Sequence, residues 1–580
     1  MQPSGINRQT GASKFLRYIP ILTWLPRYPR KWLRFDVLAG ITVWGTTVPT
    51  AMGYAQIAGL PVQAGLYAAM VGLIAYAIFG SSSLLKVETS PSMAIMSAVI
   101  VSQFAQGNYA YYITLSAALA MVVGVILIVA GLARMGFLAD FLAKPVVIGF
   151  LFGLALIVII QQIPNLFGVN TTNQGTGIIQ LWELFTSLND AHLLTLAISA
   201  ATFGLLLLFR RFFPRYPGTL FVMGISVLAV ILLNLDELGV DLVGTIPRGL
   251  PTLSIPLVRL SDILFLALGG IAVVFVALGE SLGTARSFAA EHHNRIDADQ
   301  ELIALGTANL SAGLLQGFTV GGNPSTTSAS NTAKSKSQVA SLVTAAVLSV
   351  TLLTSVDLIG NLPQAVVSVA VILSVSHLLR SGLLRRLYNT RKIDFTLAMV
   401  ALFGVLVAGV FPGLMIAVFL SLLIVLYRSS QPSLSVLGKI PGHEAYGDID
   451  ENPEADQYPR ILILRPNVPL FFANANLMHS QIRKLVLSST ESLKAIIVDL
   501  SASDDLDVAV TDMLKGLTDE LGQNGIRLLI ANAKSSTITR LEQAEVVELI
   551  GEQNIYLRVQ EAVEDVVGMD PAITEKIEIT

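Results

Sequence analysis

Long stretches without a charged residue dominate the first 430 residues of the chain. One helix needs about 20 apolar residues to cross a bilayer, so a much longer stretch must hold more than one crossing or a broken one. Four such stretches occur, at Val37–Leu85, Thr89–Ala133, Pro145–Trp182 and Leu302–Ala333. Shorter apolar spans follow at about 193–209, 216–235, 263–284, 338–356, 362–379, 395–410 and 412–427. The pattern predicts an α-helical, polytopic membrane protein with about fourteen segments.

Two of these segments are short and begin at glycine, proline or hydroxyl residues. One begins near Thr89–Pro91 and the other near Gly321–Ser325, which are matching places if the domain has two halves of seven segments. Paired, interrupted segments are typical of an inverted repeat with a binding site at mid-membrane. A half-helix that begins inside the bilayer directs unpaired N–H groups and a positive dipole end to the centre, which favours an anion. Ordinary proline kinks in two spanning helices are the alternative.

The composition changes after Arg428. The stretch 431–458 is polar, and beyond it short apolar runs such as Ile461–Leu464 and Ala495–Leu500 alternate with helical patterns such as Val508–Leu521. This alternation is typical of an α/β domain. The predicted organisation is an N-terminal segment 1–35, a transmembrane domain 36–430, a linker 431–458, a small α/β domain 459–570 and a tail 571–580.

Composition and charge narrow the class of protein. Of the 580 residues, 53% are hydrophobic and 13% are charged, whereas soluble domains carry about 25% charged residues, so one long soluble enzyme is excluded. From residue 431 onward there are 12 Lys and Arg against 24 Asp and Glu, while the first 430 residues hold 25 against 16. The absence of cysteine excludes disulfides and thiolate metal sites. No histidine metal motif and no P-loop occur, and no nucleic-acid partner is expected.

Basic residues indicate the orientation of the chain, because short positively charged loops stay in the cytoplasm. The segment before the first span carries Lys14, Arg17, Arg27, Arg30, Lys31 and Arg34. If the segments cross in turn, the other basic loops fall on the same side, at Arg134/Lys144, Arg210/Arg211/Arg215, Arg286/Arg295 and Arg380/Arg385/Arg386/Arg391/Lys392. We therefore expect a multi-pass protein of the cell (cytoplasmic) membrane with both termini in the cytoplasm.

Three strings carry a resemblance to a known family. Gly40–Tyr67 reads GITVWGTTVPTAMGYAQIAGLPVQAGLY and resembles the first-helix signature of the sulfate permease (SulP) family of anion transporters. Glu301–Phe318 reads ELIALGTANLSAGLLQGF and resembles the ninth segment of that family. Leu470–Ile482 reads LFFANANLMHSQI and resembles the opening of the STAS domain that follows these transporters. The three matches occur in the family's order and together cover nearly the whole chain.

The resemblance implies a more detailed architecture than the residue pattern does. It implies fourteen segments in a seven-plus-seven inverted repeat, with a core domain that moves against a gate domain and half-helices at segments 3 and 10. It also implies a homodimer, an anion bound between the two half-helices, and a cytoplasmic STAS domain at 459–570. Related STAS domains are switched at a Ser or Thr, but the corresponding position here is Val508. This domain is therefore interpreted as structural or as a docking surface for a cytoplasmic partner.

Glu280 is the strongest single candidate for a functional residue, because it ends the uncharged run Ile263–Gly279. An ionisable residue within a membrane segment costs free energy and indicates a functional site; the alternative is a solvated residue at the cytoplasmic end of its helix. In the transporters it resembles, an acidic residue here couples transport to a cation. A carboxylate suits a proton, or Na⁺ with help from Thr284, which lies on the same helix face. Sodium-coupled relatives often carry Asp at this position, so the Glu found here favours the proton as the coupling ion.

The candidate substrate-binding residues lie on three segments. They are Thr50 and Tyr54 on the first, Thr89, Ser90 and Ser92 on the third, and Gly322, Ser325, Thr326 and Thr327 on the tenth. Thr326 stands where many family members carry Arg or Lys. The site then relies on N–H groups and hydroxyls, which suits a monovalent anion or one that arrives with a proton. Whether Lys86 and Glu88 contact substrate is left open by the sequence.

These observations favour a secondary active transporter of a small inorganic anion, proton-coupled and of the elevator type. Sulfate is the first expected substrate, because it is common in the family, and bicarbonate is the next. The expected coupling ion is H⁺, with Na⁺ as the alternative, and no cofactor is expected. The other hypotheses are a sodium-coupled bicarbonate transporter, an uncoupled anion channel or exchanger, a nucleobase–proton symporter and a membrane-tethered signalling scaffold. An enzyme is not expected.

Overall fold

The structure is a computed structural model. It describes residues 18–102, 104–105, 108–137, 143–169, 186–187, 190–212, 218–292, 295–376, 378–379, 381–431, 433–489 and 492–569. Five predicted features lie outside the described residues, namely Lys14 and Arg17 of the N-terminal segment, Arg215, Arg380 and the tail 571–580. The chain separates into two compact units, Met1–Ser421 and Leu422–Thr580, which are described in turn.

Fourteen main helices form the membrane part of the described chain. They are α1 Leu33–Ile57, α2 Val62–Phe79, α3 Pro91–Ser102, α4 Tyr109–Leu132, α5 Lys144–Phe167, α6 Leu193–Phe212, α7 Gly218–Leu233, α8 Leu260–Glu291, α9 Ala298–Leu314, α10 Pro324–Thr332, α11 Val339–Thr354, α12 Gln364–Ser376, α13 Lys392–Ala408 and α14 Val410–Ser429. Short helices lie between them at Val356–Gly360 and Ser381–Thr390, and one precedes them at Ile21–Trp24.

The two shortest of these fourteen helices are α3 and α10. By length and composition, four helices of the described chain are able to cross a membrane alone: α2, α4, α5 and α8. By contrast, α3 has 12 residues and α10 has 9. At 1.5 Å per residue neither spans the roughly 30 Å hydrocarbon layer. Both are therefore half-helices, and each begins with a proline, Pro91 or Pro324.

The helices pack in two groups. In the first, α4 lies against α9, α11 against α1 and α2, and α8 against α3 and α4. In the second, α5 packs on α12 and α13, and α6 packs on α5, α7 and α12. In an inverted repeat of seven helices, α1 corresponds to α8 and α4 corresponds to α11. The contact α4–α9 in one half then corresponds to the contact α11–α2, and the contact α1–α11 corresponds to α8–α4. The contacts of the first group therefore have the internal two-fold symmetry of an inverted repeat.

A short antiparallel ladder joins the two halves at the half-helices. The strands β1 Val87–Glu88 and β2 Gly321–Gly322 pair with Val87 opposite Gly322 and Glu88 opposite Gly321. Each strand is followed within a few residues by a half-helix, β1 by α3 and β2 by α10. The ladder therefore places the N-termini of α3 and α10 next to each other. The sequence indicated the two half-helices but not this pairing, because two-residue strands leave no periodicity.

Small residues allow α4 and α9 to approach closely. A Cβ atom on Gly124 would lie 2.6 Å from the backbone nitrogen of Leu310, and a Cβ on Gly306 would lie 2.8 Å from the carbonyl oxygen of Gly124. A Cβ on Gly313 would lie 2.5 Å from the carbonyl oxygen of Ala117. In lipid, helix association depends on such close van der Waals packing. These glycines therefore fix the frame that carries the half-helices.

The second unit is an α/β domain built on a six-stranded sheet with the strand order β4-β3-β5-β6-β7-β8. The strands from β5 to β8 are parallel, and β3 is antiparallel to both its neighbours. Its elements are β3 Leu434–Lys439, β4 Tyr446–Asp448, β5 Ile461–Pro466, α15 Ala475–Ser488, β6 Ala495–Asp499, α16 Val508–Gln523, β7 Arg527–Ala531, α17 Ser535–Gln543, α18 Val546–Ile550, β8 Ile555–Tyr556 and α19 Val559–Met569.

Both faces of this sheet are covered. Ile496 and Val498 belong to one apolar core, and Ala495 and Ile497 belong to another, because successive strand residues point to opposite faces. β3 and β4 fall within 431–458, the stretch expected to be a linker. Its polar composition concealed them, since β4 is the edge strand, β3 lies next to it, and only part of each is buried.

We predict that Gly124→Val destabilises the membrane part, because its branched side chain would meet the backbone of α9 at Leu310. Overpacking of this kind costs about 1–3 kcal/mol. The measurement is the thermal unfolding midpoint of the detergent-purified protein. Gly204→Val on α6 is the control, since a Cβ there meets nothing within 4 Å. Equal midpoints for the two variants would contradict the close α4–α9 contact.

Candidate functional site

The start of α3 contacts Glu280 of α8. The Ser90 hydroxyl donates a hydrogen bond to Oε2 of Glu280 over 3.0 Å, and the Ser92 hydroxyl donates to the same oxygen. Glu280 is 3% exposed. Its second oxygen, Oε1, is buried and has no hydrogen-bond partner among the described residues. The carboxylate is therefore held on one side by the half-helix and is open on the other to a proton, a cation or a hydrogen-bond donor.

The start of α10 is fixed by Asn323. Its side-chain oxygen accepts a hydrogen bond from the N–H of Ser325 over 3.0 Å, which is the usual N-cap arrangement, with Pro324 at the first helical position. The amide nitrogen of Asn323 donates to Oε1 of Glu88 and to the carbonyl oxygen of Thr89, each over 3.1 Å. Asn323 therefore caps one half-helix and ties it to the segment that leads into the other.

Glu88 is a second buried carboxylate at the same place. It lies in β1 and is 0% exposed. Its Oε2 accepts a hydrogen bond from the Thr47 hydroxyl of α1 over 2.8 Å, while Oε1 accepts from Asn323. Glu88 therefore joins α1, β1 and the cap of α10.

The helix α1 presents Tyr54 to both carboxylates. The Tyr54 hydroxyl is fully buried and has no hydrogen-bond partner in the described part of the chain, and it interacts electrostatically with Glu88 and Glu280. Thr50 differs, because its hydroxyl donates to the carbonyl oxygens of Thr46 and Thr47 on its own helix, over 2.8 and 3.2 Å. Tyr54 is thus positioned to contact a ligand, and Thr50 is satisfied within α1.

The remaining predicted residues also divide into groups that are satisfied by contacts within the protein and groups that are not. Gly322 donates its N–H to the Ser281 hydroxyl over 2.8 Å, and the Thr327 hydroxyl donates to the carbonyl oxygen of Asn323 over 2.7 Å. These contacts hold the loop. Thr89 is buried, and its hydroxyl has no hydrogen-bond partner among the residues that the structure describes. Of the other predicted residues, Ser325 and Thr326 lie in the first turn of α10, and Thr284 lies one turn beyond Glu280 on α8.

Four residues of the site were absent from the sequence-based set: Thr47, Ser281, Asn323 and Glu88, the last of which had been left open. Asn323 had a detectable signal, since Asn before Pro at a helix start is a typical cap. Thr47 lies three residues before Thr50 and seven before Tyr54, on the same face of α1. Glu88 had a signal, as a charge between the uncharged runs Val37–Leu85 and Thr89–Ala133, but this left its contact with substrate open. Ser281 had none, because its role depends on the β1–β2 ladder.

The unpaired atoms show what the site can bind. Of the nine buried side-chain polar atoms that lack a partner among the described residues, three belong to this site, namely the Tyr54 hydroxyl, the Thr89 hydroxyl and Oε1 of Glu280. Leaving such an atom unsatisfied costs about 1–3 kcal/mol, so a ligand is favoured here. They surround two half-helix N-termini, where backbone N–H groups favour an anion. The nearby ammonium group of Lys86 donates to the Ser341 hydroxyl of α11 over 2.9 Å.

Comparison with known proteins agrees with this architecture. The sulfate permease family matches residues 33–401, and the STAS domain matches residues 452–562. A probable sulfate transporter of Mycobacterium tuberculosis (strain CDC 1551 / Oshkosh) is 33% identical over 94% of this chain and 99% of its own length. High affinity sulfate transporter 2 of Stylosanthes hamata is 29% identical over 96% of this chain and 88% of its own length.

Solved structures share the fold. The structure of SLC26A9 superposes with a TM-score of 0.88 at 21% identity, over 97% of this chain and 94% of that one. The transmembrane domain of the cyanobacterial bicarbonate transporter BicA gives a TM-score of 0.58 at 19% identity, over 68% of this chain and 98% of its own. Both likenesses concern the fold, which is the seven-plus-seven arrangement of helices.

The fold and the paired half-helix site define a multi-pass membrane transporter of anions. The chain belongs to the sulfate permease family, as the match over residues 33–401 establishes, and it carries the STAS domain at its C-terminal end. The expectation of a transporter rather than an enzyme is confirmed by this membership and by the relatives, which are named transporters.

We predict that Tyr54→Phe lowers the apparent affinity for the transported anion while leaving the protein stable. The hydroxyl makes no hydrogen bond within the described chain, so its removal breaks no internal contact. Loss of one hydrogen bond to a charged ligand corresponds to about 1.5–3 kcal/mol, or roughly ten- to a hundredfold in KM. The measurement is initial uptake against anion concentration, with the unfolding midpoint as control. An unchanged KM would exclude Tyr54 from the site.

Proposed function

We propose that the protein is a secondary active transporter that moves a small inorganic anion together with protons, with sulfate as the first substrate to test and bicarbonate as the next. One observation carries the proposal: Glu280 is buried beside the N-terminus of α3, bound by Ser90 and Ser92 through one oxygen and unpaired at the other. The named activities of the relatives support the choice of anion.

The physical basis of coupling is repulsion between two negative charges. An ionised Glu280 beside the half-helix termini repels an arriving anion, and little water is present to screen the repulsion. A proton on Oε1 removes that repulsion, so the proton and the anion each favour binding of the other. Such a mutual effect on affinity is reciprocal by thermodynamic necessity. A gradient of protons is then able to drive accumulation of the anion.

An elevator-type movement fits the packing. The helices that build the site, α1, α3, α8 and α10, belong to the first helix group, whereas α5 to α7, α12 and α13 form the second. In the proposed mechanism the first group carries the anion and the proton past the second. The second group then acts as the gate domain.

Sodium coupling is the second candidate, and Thr284 favours it. Thr284 is buried one helical turn beyond Glu280, so its hydroxyl and the free carboxylate oxygen are able to offer oxygen ligands to a cation. Bicarbonate would then be the preferred substrate to test. An exchanger or channel, which needs no coupling ion, is the remaining outcome of the same experiment.

We further propose the cell membrane as the location, with both termini in the cytoplasm, since the basic loops lie on one side of the predicted topology. A homodimer is proposed from the family resemblance. The STAS domain, with its acidic composition, is proposed to contact a cytoplasmic partner.

Glu280→Gln is expected to abolish cation-driven uptake while the protein still inserts, because the amide binds neither a proton nor Na⁺ as a carboxylate does. The measurement is uptake of labelled sulfate and bicarbonate into proteoliposomes under an imposed proton or sodium gradient. For wild type we expect uptake to rise as the external pH falls.

The matched control is Glu291→Gln, at the exposed end of the same helix, which should retain uptake. Sodium-driven uptake in the wild type would assign Glu280 and Thr284 to a sodium site. Full uptake with normal pH dependence in Glu280→Gln would remove the coupling role of Glu280.

Thr326→Arg is expected to shift preference toward divalent anions, since it restores the cation that many family members carry at the start of α10. The electrostatic attraction of the added positive charge is about 1.4 kcal/mol stronger for a dianion than for a monoanion. This difference corresponds to roughly tenfold in relative uptake. The measurement is competition between sulfate and a monovalent anion. Thr332→Arg, at the exposed far end of α10, is the control. Unchanged relative uptake would place Thr326 outside the site.

A further inference from the structure

The proposed coupling mechanism uses one carboxylate, but the site holds two. Glu88 is as deeply buried as Glu280 and its hydrogen-bond donors are neutral groups: the hydroxyls of Thr47 and Thr326 and the amide of Asn323. Asn323 also contacts Thr89, which lies at the open start of α3. Glu88 therefore adjoins the place where the anion is expected, with no role assigned to it so far.

The charged and titratable groups around Glu88 come from several elements. Lys86, two residues earlier on the same segment, interacts with it electrostatically, but its ammonium group donates to Ser341. Tyr54 on α1 faces both Glu88 and, on α8, Glu280. Asp36, at the start of α1, interacts with Lys86.

Asp36 is already occupied by other donors. Its oxygens accept hydrogen bonds from Tyr28, Ser335, Ser337 and the N–H of Lys336. Those bonds connect α1 to the loop before α11, away from the half-helix termini. The carboxylates next to the anion site are thus Glu280 and Glu88.

Charge balance distinguishes a dianion from a monoanion at this site. Each half-helix end contributes roughly +0.5 charge, Lys86 contributes +1, and the two glutamates contribute −2 when both are ionised. In a buried site, charge without compensation is expensive. A monoanion then requires one added proton and a dianion requires two. Glu280, with its unpaired oxygen, is the first acceptor, so the second must be Glu88.

The contacts of Glu88 suit both protonation states. A hydroxyl is able to donate or to accept, so Thr47 donates to an ionised Oε2 and accepts from a protonated one, while Asn323 continues to donate to Oε1.

We propose that Glu88 is a second proton-binding group of the transport site, so that a divalent anion moves with two protons. This inference rests on the proposed proton-coupled transport and adds a stoichiometry and a residue to it. A dianion with two protons carries no net charge, so its transport is insensitive to membrane potential. In Glu88→Gln the second acceptor is gone, and a dianion moves with one proton and a net negative charge.

The experiment measures the sulfate gradient that purified protein sustains in proteoliposomes under a tenfold proton gradient, with the membrane potential clamped at zero. For the wild type we expect roughly a 100-fold sulfate gradient, since two protons contribute twice the driving force of one, and for Glu88→Gln roughly tenfold. A membrane potential imposed with equal pH on both sides should alter the sulfate gradient for Glu88→Gln and leave the wild-type sulfate gradient unchanged. Glu88→Asp, which keeps the carboxylate, and Glu291→Gln should match the wild type.

A tenfold gradient in the wild type would overturn the role of Glu88, even if Glu88→Gln failed to insert. So would a 100-fold gradient in Glu88→Gln. Either result leaves proton-coupled transport intact. Absence of any proton-driven uptake of sulfate or bicarbonate in the wild type would instead overturn the proposed function, and the inference with it.

Discussion

The rest of this structure depends on how two broken helices are satisfied inside a membrane. Backbone N–H and C=O groups within lipid must find partners in the protein, and a helix that begins at mid-membrane leaves several of them open. The β1–β2 ladder pairs the approaching segments, Asn323 caps α10, and Ser281 accepts the N–H of Gly322. Three of the buried polar groups that stay unpaired in the described chain, on Tyr54, Thr89 and Glu280, belong to the site at the half-helix ends. The anion site is thus the part of the backbone and side chains that the fold leaves for a ligand.

Carboxylates rather than basic side chains determine the electrostatics of this site. With Thr326 at the start of α10, the positive potential comes from the helix ends and from Lys86, whose ammonium group is bound to Ser341. Glu280 and Glu88 oppose that potential when they are ionised. Under the proposed coupling, anion binding is weak until cations neutralise one or both carboxylates.

Much of this arrangement could be predicted from the sequence, and the failures have a common cause. Glu280 was detectable because a charge ends a long apolar run, and the half-helices because Pro91 and Pro324 follow polar residues in apolar surroundings. The role of Glu88 could not be predicted, since it depends on contacts with α1 and α10, which are remote in sequence. The strands β3 and β4 were missed because only part of each is buried and the surrounding stretch 431–458 is polar. Local patterns thus located the groups, while pairings across long separations decided their roles.

The distribution of contacts also bears on how coupling and movement are related. Glu280 is bonded to Ser90 and Ser92, and Glu88 to Thr47 and Asn323; all these residues lie on α1, α3, α8, α10 or the adjoining loops. The proposed proton acceptors and the candidate anion site therefore belong to one helix group, and under the proposed movement they need no rearrangement among themselves. In the proposed mechanism, protonation then acts by changing the net charge of the moving group. A neutral, fully loaded site crosses the apolar surface of the second group at lower cost than a charged one, which links proton binding to translocation without a separate gate.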